Sequence, residues 1–157
     1  MSKHIIVTGT SRGIGLELIK ALSVQGHKVL ALSRNPEKLA DVKNANIETL
    51  AFDITQEDSI KAVADFVAKE WKKVDVLIHN SGALVNKPFT EISTEEFRYI
   101  YEVNVIGVAA FTKALMPYLE AGSHVVAISS IGGVQGSVKF PGLSAYSSSK
   151  AAVLGLI

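Results

Sequence analysis

Short apolar runs alternate with amphipathic helical patterns along the whole chain, and this alternation restricts the folds that the sequence can adopt. The runs are apolar throughout rather than at every second residue, which indicates strands buried on both faces of a sheet. Helical patterns between such runs indicate parallel crossover connections. The sequence therefore predicts an α/β fold with a doubly wound parallel sheet, in which ligands bind at the carboxyl ends of the strands.

The predicted elements follow one another in regular order. The five strands are the apolar runs at 5–7, 29–32, 47–52, 74–78 and 125–128. Thr55 is the predicted N-cap of the helix after the third strand, and Ser93 with Glu96 has the spacing of a capping box that opens a long helix through Leu115. The apolar positions that mark the first helix are Ile14, Leu18, Ala21 and Leu22.

Length and composition narrow the class of protein. The 157 residues match one domain, which we predict to span 1–157, and 48% hydrophobic with 20% charged residues is an ordinary globular mixture. The chain has no cysteine, so it has neither a disulfide framework nor a thiolate metal site, and we expect no bound metal. Sixteen basic and fifteen acidic residues, without a basic run, argue against a nucleic-acid partner. No apolar stretch approaches the roughly 20 residues of a membrane span, so we expect a cytoplasmic protein that binds no membrane.

The first predicted strand runs directly into a glycine-rich turn, where a helix begins. Glycines allow a tight turn and close approach of a diphosphate, and the helix N-terminus offers unpaired N–H groups. The spacing Gly-x-x-x-Gly-x-Gly differs from both the Gly-x-Gly-x-x-Gly fingerprint and the Walker loop. A plain strand-to-helix turn is the alternative, but the flanking strand and helix favour dinucleotide binding. The candidate cofactor-binding residues are Gly9, Ser11, Arg12, Gly13, Ile14 and Gly15.

The end of the second strand bears on the choice of dinucleotide. An acidic residue there would hold the ribose hydroxyls of NAD and repel a 2′-phosphate, but this strand ends with Ser33 and Arg34. Arg34 and Arg12 suit a 2′-phosphate because guanidinium groups match phosphate geometry, and Ser33 adds a hydroxyl. A solvated surface charge is the alternative for Arg34 alone. The pattern favours NADP over NAD as the cofactor.

Tyr146 and Lys150 follow the fifth strand and the glycine- and serine-rich loop 129–142, and four residues of spacing put them on one face of a helix. A free tyrosine, with a pKa of about 10, is a poor acid at neutral pH. A nearby cation stabilises the phenolate and lowers that pKa. The pair therefore suits proton donation to a carbonyl oxygen while hydride reaches the carbon. The alternative is an amphipathic helix with an exposed lysine.

The glycine turn preceded by Thr8, together with the Tyr-x-x-x-Lys motif, resembles the short-chain dehydrogenase/reductase family. The resemblance implies a Rossmann-type sheet and a serine that positions the substrate carbonyl, which matches Ser130, with Ser129 as its neighbour. It implies that Asn104 helps to hold a water that relays protons, and that Lys150 also binds the nicotinamide ribose. It further implies that Asp53 and the Ile54 backbone contact the adenine amino group, and that Asn80 and Gly82 form a turn beside the cofactor. A turn or capping role is the alternative for Asp53, and local backbone bonding is the alternative for Asn104.

The sequence also departs from the family pattern. His79-Asn80-Ser81-Gly82 stands where the family has Asn-Asn-Ala-Gly, and we interpret His79 as packed or solvent-facing rather than catalytic. The interval from Ser130 to Tyr146 is longer than the family's commonest spacing, which indicates a loop extension around 137–142. Family members continue well beyond Lys150 through a sixth and a seventh strand, so we expect an incomplete chain with weak cofactor binding and little turnover on its own. An intact mass of 16.8 kDa would argue against a missing tail.

The resemblance implies an NADPH-dependent carbonyl reductase that also works in reverse as an alcohol dehydrogenase. Its partner would be a small-molecule carbonyl or alcohol, and the motif set resembles 3-oxoacyl-thioester reductases and sepiapterin-type reductases equally. Pairing through the long helix and the Tyr-x-x-x-Lys helix implies a homodimer or homotetramer. The alternative is an NADP(H)-binding sensor without chemistry, against which the complete set of four candidate catalytic residues argues. A sugar-nucleotide epimerase would favour Gly-x-x-Gly-x-x-Gly.

Overall fold

The computed structural model describes residues 1–42 and 44–157. Its five strands are β1 (His4–Thr8), β2 (Lys28–Ser33), β3 (Ile47–Ala51), β4 (Val74–His79) and β5 (Leu119–Ala127). All neighbouring strands pair in parallel, in the order β3-β2-β1-β4-β5. The chain therefore winds outward from β1 in both directions, and the predicted doubly wound parallel sheet is confirmed. The reversal between β1 and β4 is where such sheets bind ligands.

Five α-helices connect and flank the strands: α1 (Gly13–Val24), α2 (Glu57–Phe66), α3 (Thr94–Tyr101), α4 (Gly107–Leu115) and α5 (Ser144–Leu156). Two π-helical segments follow α2 and α3, at Val67–Trp71 and Glu102–Ile106, so the single long helix that the sequence predicts is interrupted. Short 3-10 turns lie at Pro36–Leu39, Phe89–Glu91, Met116–Tyr118 and Ile131–Gly133.

Of the two predicted helix N-caps, Ser93 is confirmed and Thr55 is wrong. The Ser93 side chain accepts from the Glu96 backbone and the Glu96 carboxylate accepts from the Ser93 backbone, so the capping box at α3 is confirmed. Thr55 does not cap α2, because its hydroxyl donates to Asp53 and the N-cap is Gln56.

Successive residues of a strand point to opposite sides of the sheet, and in the central strands β2, β1 and β4 residues on both sides are mostly buried. The edge strands β3 and β5 are partly exposed, with Val126 at 40%, so the predicted burial of the fifth strand on both faces is not found. Ile6 and Leu30 pack with α2 and α4 on one side, whereas Ile5 and Val29 pack with α1 on the other. The first helix turns a slightly different face inward than its apolar pattern indicates. Its buried residues are Gly15, Ile19 and Ser23, while Ile14 is 61% exposed.

The carboxyl ends of all five strands lie along one edge of the sheet. The turn after β1, the loop after β4 and the turn after β5 therefore meet there, and this edge carries the candidate site. Across the described part of the chain, every helix is too short or too polar to cross a bilayer.

Candidate active site

The glycine turn after β1 lies against the loop after β4. Gly9 has φ +72°, and a Cβ added to it would lie 2.9 Å from the Ser81 Cα. A Cβ on Gly15 would lie 2.3 Å from the Gly9 carbonyl oxygen and 2.5 Å from Asn80 Nδ2. Both positions therefore require glycine. A side chain at Gly9 would push the turn away from the loop after β4, and one at Gly15 would push the start of α1 away from the turn.

Hydrogen bonds from Asn80 and Thr8 fasten these two segments together. Asn80 Nδ2 donates to the carbonyl oxygens of Thr8 and Gly9, each at 3.0 Å. The buried Thr8 hydroxyl accepts from the backbone N–H of Asn80 at 3.0 Å and of Ser81 at 2.9 Å. Thr8 therefore has a structural role, whereas the sequence predicted only that it precedes the glycine turn. The sequence feature that indicates this role is a threonine that ends a buried strand directly before a glycine.

The first turn of α1 is open to a ligand. Arg12 is the N-cap and makes no side-chain hydrogen bond to the helix, and the first turn contains no acidic residue. Arg12, Gly13 and Ile14 are exposed, and Ser11 is half-buried. Free N–H groups at a helix N-terminus without a negative side chain suit a diphosphate.

The end of β2 also fits a phosphate-bearing ligand. The Ser33 side chain is 3% exposed, and its hydroxyl has no hydrogen-bond partner within residues 1–42 and 44–157. A buried hydroxyl without a partner is costly unless a ligand satisfies it. Arg34 beside it is exposed, and neither Arg34 nor Arg12 forms an ion pair among the described residues. The residues present therefore fit a dinucleotide with an additional phosphate.

Asp53 lies in a turn at the end of the third strand. Its Oδ1 accepts from the Thr55 backbone N–H at 3.0 Å and from the Thr55 hydroxyl at 2.8 Å. The structure thus gives Asp53 the turn role that the sequence left open, and its contact with adenine stays a prediction. Ile54 is buried, and its carbonyl oxygen lies 2.7 Å from the point where a Cβ on Gly107 would be.

Helix α5 brings Tyr146 and Lys150 to the carboxyl end of β5. The Lys150 ammonium donates to the Ile128 carbonyl oxygen at 2.6 Å and lies 5.8 Å from the centre of the Tyr146 ring. The lysine is only 5% exposed, and this burial lowers the pKa of Lys150. A cation fixed beside a half-buried phenol is the arrangement that the motif predicts.

Asn104 lies within the π-helical segment Glu102–Ile106. Short π-helical segments inside helices are often found at functional sites. Its Oδ1 accepts from the Ala83 N–H at 2.8 Å, and its Nδ2 donates to the Ala83 carbonyl and to Ser149 Oγ, each at 2.9 Å. The side chain therefore ties the loop after β4 to α5. Oδ1 and the Lys150 ammonium each lie 3.5 Å from the point that a Cβ on Gly82 would occupy.

The two adjacent serines after β5 have different partners. The Ser129 hydroxyl donates to the Lys150 carbonyl oxygen at 2.8 Å and so anchors α5. The Ser130 hydroxyl accepts from the Gly132 backbone N–H at 3.3 Å, which leaves its own proton available for a ligand. The geometry therefore favours Ser130 over Ser129 as a donor to a substrate.

His79 is buried at the end of β4. Its Nε2 lies 2.8 Å from the Thr112 hydroxyl, whose proton goes to the Val108 carbonyl oxygen at 2.8 Å. Nε2 must therefore carry a proton and donate, and because the lowered pKa keeps the ring neutral at neutral pH, Nδ1 carries no proton. Burial lowers the pKa of His79 to about 4. The interpretation of His79 as a packed residue is confirmed.

A pocket of about 300 Å³ lies at the N-terminal end of α5. Apolar side chains line most of it, with two hydroxyls from the first turns of α5. The lining residues include Phe89, Phe140, Leu143, Ser144 and Ser147.

Comparison with known proteins places this site in a family. The model of the short chain dehydrogenase family matches residues 3–157. The uncharacterized oxidoreductase YusZ of Bacillus subtilis is 37% identical over 166 residues, which cover 99% of this chain and 58% of YusZ. The 3-oxoacyl-(acyl-carrier-protein) reductase FabG of Escherichia coli is 32% identical over 156 residues, which cover 98% of this chain and 64% of FabG.

A solved structure agrees with the sequence matches. The alcohol dehydrogenase from the archaeon Thermococcus sibiricus, complexed with 5-hydroxy-NADP, superposes with a TM-score of 0.90 at 25% identity. The alignment covers 100% of this chain and 69% of that chain. The present chain spans less than two thirds of the length of the two curated relatives. Since the family model matches nearly every residue, the chain belongs to the short chain dehydrogenase family.

Proposed function

We propose that the protein is an NADPH-dependent oxidoreductase that reduces a carbonyl to an alcohol and also works in reverse. The observation that carries the proposal is the buried Lys150 ammonium, 5.8 Å from the Tyr146 ring centre at the ligand-binding edge of the sheet. A fixed cation beside a phenol stabilises the phenolate and so makes the tyrosine a usable acid and base.

Each of the four candidate catalytic residues has a distinct task in this proposal. A bound nicotinamide would supply the hydride. Tyr146 donates the proton to the substrate oxygen, and Lys150 stabilises the phenolate that remains. Ser130 holds the oxygen with its uncommitted hydroxyl proton, and Asn104 supports a water that returns a proton through Lys150. The bonds of Asn104 to Ala83 and Ser149 support this task by fixing α5 against the loop after β4.

The NADPH preference rests on the end of β2. The buried Ser33 hydroxyl lacks a partner among the described residues, and the exposed guanidinium groups of Arg34 and Arg12 suit a 2′-phosphate. The proposed cofactor contacts also include the glycine turn, Asp53, Ile54, Asn80 and Gly82. The Thermococcus relative was solved with an NADP derivative, which agrees with this choice.

The proposed substrate is a small carbonyl compound with an apolar portion. The pocket at the start of α5 supports this, because Phe89, Phe140 and Leu143 would contact an apolar group. FabG, a relative, is named for the reduction of 3-oxoacyl groups.

A substrate screen tests the proposal. The full-length protein is purified and mixed with NADPH and a panel that includes acetoacetyl-CoA, sepiapterin and simple aromatic ketones, and the loss of NADPH absorbance is followed. We expect Tyr146→Phe to lower kcat by about 10²- to 10⁴-fold, the usual contribution of a general acid. The affinity for NADPH, measured by fluorescence titration, should stay unchanged in that variant.

Three outcomes would count against this assignment. Equal loss of turnover and of NADPH binding in Tyr146→Phe would remove the acid role. Tight NADPH binding without reduction of any carbonyl would favour a cofactor-binding sensor. Tighter binding of NADH than of NADPH would overturn the cofactor choice.

A further inference from the structure

Lys139 folds back over the turn Ile131–Gly133 that follows β5. Its ammonium nitrogen lies 2.7 Å from the carbonyl oxygens of Gly132 and Val134 and 2.9 Å from Ser137 Oγ. An ammonium has three N–H donors, so each of them has an acceptor within the protein. Lys139 is itself exposed, so its charged end also meets water. All three donors nevertheless have acceptors in the turn or beside it.

Ser137 connects the Lys139 ammonium to the backbone of the turn by hydrogen bonds. Its hydroxyl accepts from the Lys139 ammonium and has a single proton to donate. The hydroxyl lies 2.5 Å from the Ile131 carbonyl oxygen and 2.7 Å from that of Val134. Both carbonyl oxygens already accept one other bond, Val134 from Lys139 and Ile131 from the Val134 N–H, and we assign the Ser137 proton to the nearer Ile131 oxygen.

The peptide group between Ile131 and Gly132 completes a series of hydrogen bonds that runs from Lys139 through Ser137 to Ser130. Its carbonyl oxygen accepts from Ser137, and its N–H donates to Ser130 Oγ at 3.3 Å. Every donor from the ammonium onward points in the same direction, so each bond polarises the next. The last group is the Ser130 hydroxyl. Its oxygen accepts the Gly132 N–H with one lone pair, and its proton remains available for a ligand.

We propose that Lys139 and Ser137 are positioning residues that hold and polarise the Ser130 hydroxyl as a hydrogen-bond donor to the substrate oxygen. The proposal rests on the proposed carbonyl reduction, because it concerns the serine that would hold the carbonyl. Both residues lie in the loop extension between Ser130 and Tyr146. In this proposal, the extension orients the Ser130 hydroxyl for the reaction.

Close packing holds the turn against α5, the helix that carries Tyr146. A Cβ on Gly132 would lie 2.7 Å from Ser147 Oγ, and one on Gly133 would lie 2.7 Å from the Lys150 carbonyl carbon. Two backbone bonds, from the Gly133 N–H to the Ser130 carbonyl oxygen and from the Val134 N–H to the Ile131 carbonyl oxygen, limit rotation of the peptide units. The bonds from Lys139 and Ser137 add to this restriction and act on the peptide group that donates to the Ser130 hydroxyl.

The first test measures the bond series without any substrate. In ¹H–¹⁵N spectra of the full chain, Lys139→Met and Ser137→Ala should both move the Gly132 amide proton to lower chemical shift, because its donor peptide is less polarised. Lys139→Arg should leave that signal close to its original position. Lys61→Met on α2, which also removes a lysine that is hydrogen-bonded in the structure, is the matched control and should leave Gly132 unchanged. An unmoved Gly132 signal in both Lys139→Met and Ser137→Ala would overturn the proposal.

The second test uses the panel carbonyl with the highest kcat/KM. Lys139→Met should lower kcat roughly 3- to 10-fold, less than the 10²-fold or more that follows loss of a direct donor to the oxyanion. The affinity for NADPH should be unchanged, and Lys139→Arg should restore kcat. Unchanged kcat, or a loss that Lys139→Arg does not restore, would refute the positioning role. A wild-type protein that reduces no panel carbonyl would instead overturn the proposed function, while the Gly132 signal still decides the bond series.

Discussion

Single side chains at the sheet edge combine burial with a polar group that the fold leaves available. Lys150 is buried with its ammonium on one carbonyl oxygen, Ser33 is buried with an unpartnered hydroxyl among the described residues, and His79 is buried with a bare Nδ1. Such groups cost stability unless a hydrogen-bond or charge partner satisfies them. The first two lie where the proposed cofactor and substrate would bind, whereas His79 packs against Phe111 and belongs to the core.

His79 makes stability depend on pH. The unfolded histidine has a pKa near 6.5, and burial lowers the folded value to about 4, so between these values the unfolded chain binds the extra proton. The free energy of unfolding should therefore fall as the pH drops from 6.5 to 4, by up to about 1.4 kcal/mol per pH unit.

Urea denaturation of the wild type and of His79→Asn at several pH values measures this contribution. The variant lacks the titrating group, so its acid-side slope should be shallower, whatever its stability at neutral pH. Between pH 7 and 8 the two proteins should differ by a constant amount. Parallel slopes below pH 6 would contradict the assigned role of His79.

Arg34 provides a prediction about cofactor choice. Arg34→Ala should weaken NADPH binding by about 10-fold, the size expected for loss of one solvent-exposed charge-assisted bond. NADH, which has no 2′-phosphate, should bind with unchanged affinity. Fluorescence titration with both nucleotides measures the two constants, and Lys38→Ala in the neighbouring 3-10 turn is a control for loss of a nearby positive charge. Equal weakening of both nucleotides would remove Arg34 from the phosphate site.

At the scale of elements, the strands and most helices followed from apolar patterns, but the irregular segments did not. The π-helical segment around Asn104 depends on bonds to Ala83 and Ser149, residues 21 and 45 positions away, which no local pattern contains. Thr55 was predicted as a cap because its residue type is common there, but Asp53 binds its hydroxyl instead. Local preference thus failed in one case because of distant partners and in the other because a neighbouring side chain competes for the hydroxyl.

The contact between α1 and the turn after β1 gives a prediction with an internal control. Gly15→Ala places a Cβ 2.3 Å from the Gly9 carbonyl oxygen, so α1 must shift and the free energy of unfolding should fall by about 1–3 kcal/mol. Gly155→Ala on α5 meets nothing within 4 Å and should raise it by up to about 1 kcal/mol, the helix preference for alanine. Chemical denaturation compares the two. A Gly15→Ala protein as stable as wild type would show that α1 does not lie against the turn.

At the scale of the whole molecule, the doubly wound parallel sheet and the candidate site edge were predictable from the sequence, whereas the order of the strands was not predicted. Patterned burial fixed which runs become strands, and the crossover rule fixed their direction. The side-chain geometry of the site was not predictable, because the separate partners of Ser129 and Ser130 depend on where α5 packs. The same holds for the bonds of Lys139 to the turn, since a lysine in a loop is ordinarily solvated.

Exposed apolar side chains at the two ends of α4 and on α5 bear on assembly. Ile106 directly before α4, Met116 directly after it and Leu154 on α5 are exposed, and surfaces of this kind often mark contacts between proteins. We expect a homodimer or homotetramer that pairs through these helices. Light scattering after size-exclusion chromatography measures the mass, and Met116→Glu should shift it toward the monomer, whereas Lys61→Glu on α2 should not. A monomeric wild type would contradict this expectation.

The order of the strands places the residues of the proposed cofactor preference and those of the proposed proton transfer at separate parts of the sheet edge. Ser33 ends β2 and Arg34 follows it, whereas Tyr146 and Lys150 lie on the helix after β5, with β1 and β4 between them. The proposed cofactor preference and the proposed proton transfer thus depend on residues on opposite sides of the centre of the sheet. Substitutions after β2 that exchange the proposed electron donor would therefore leave the proposed proton donor untouched.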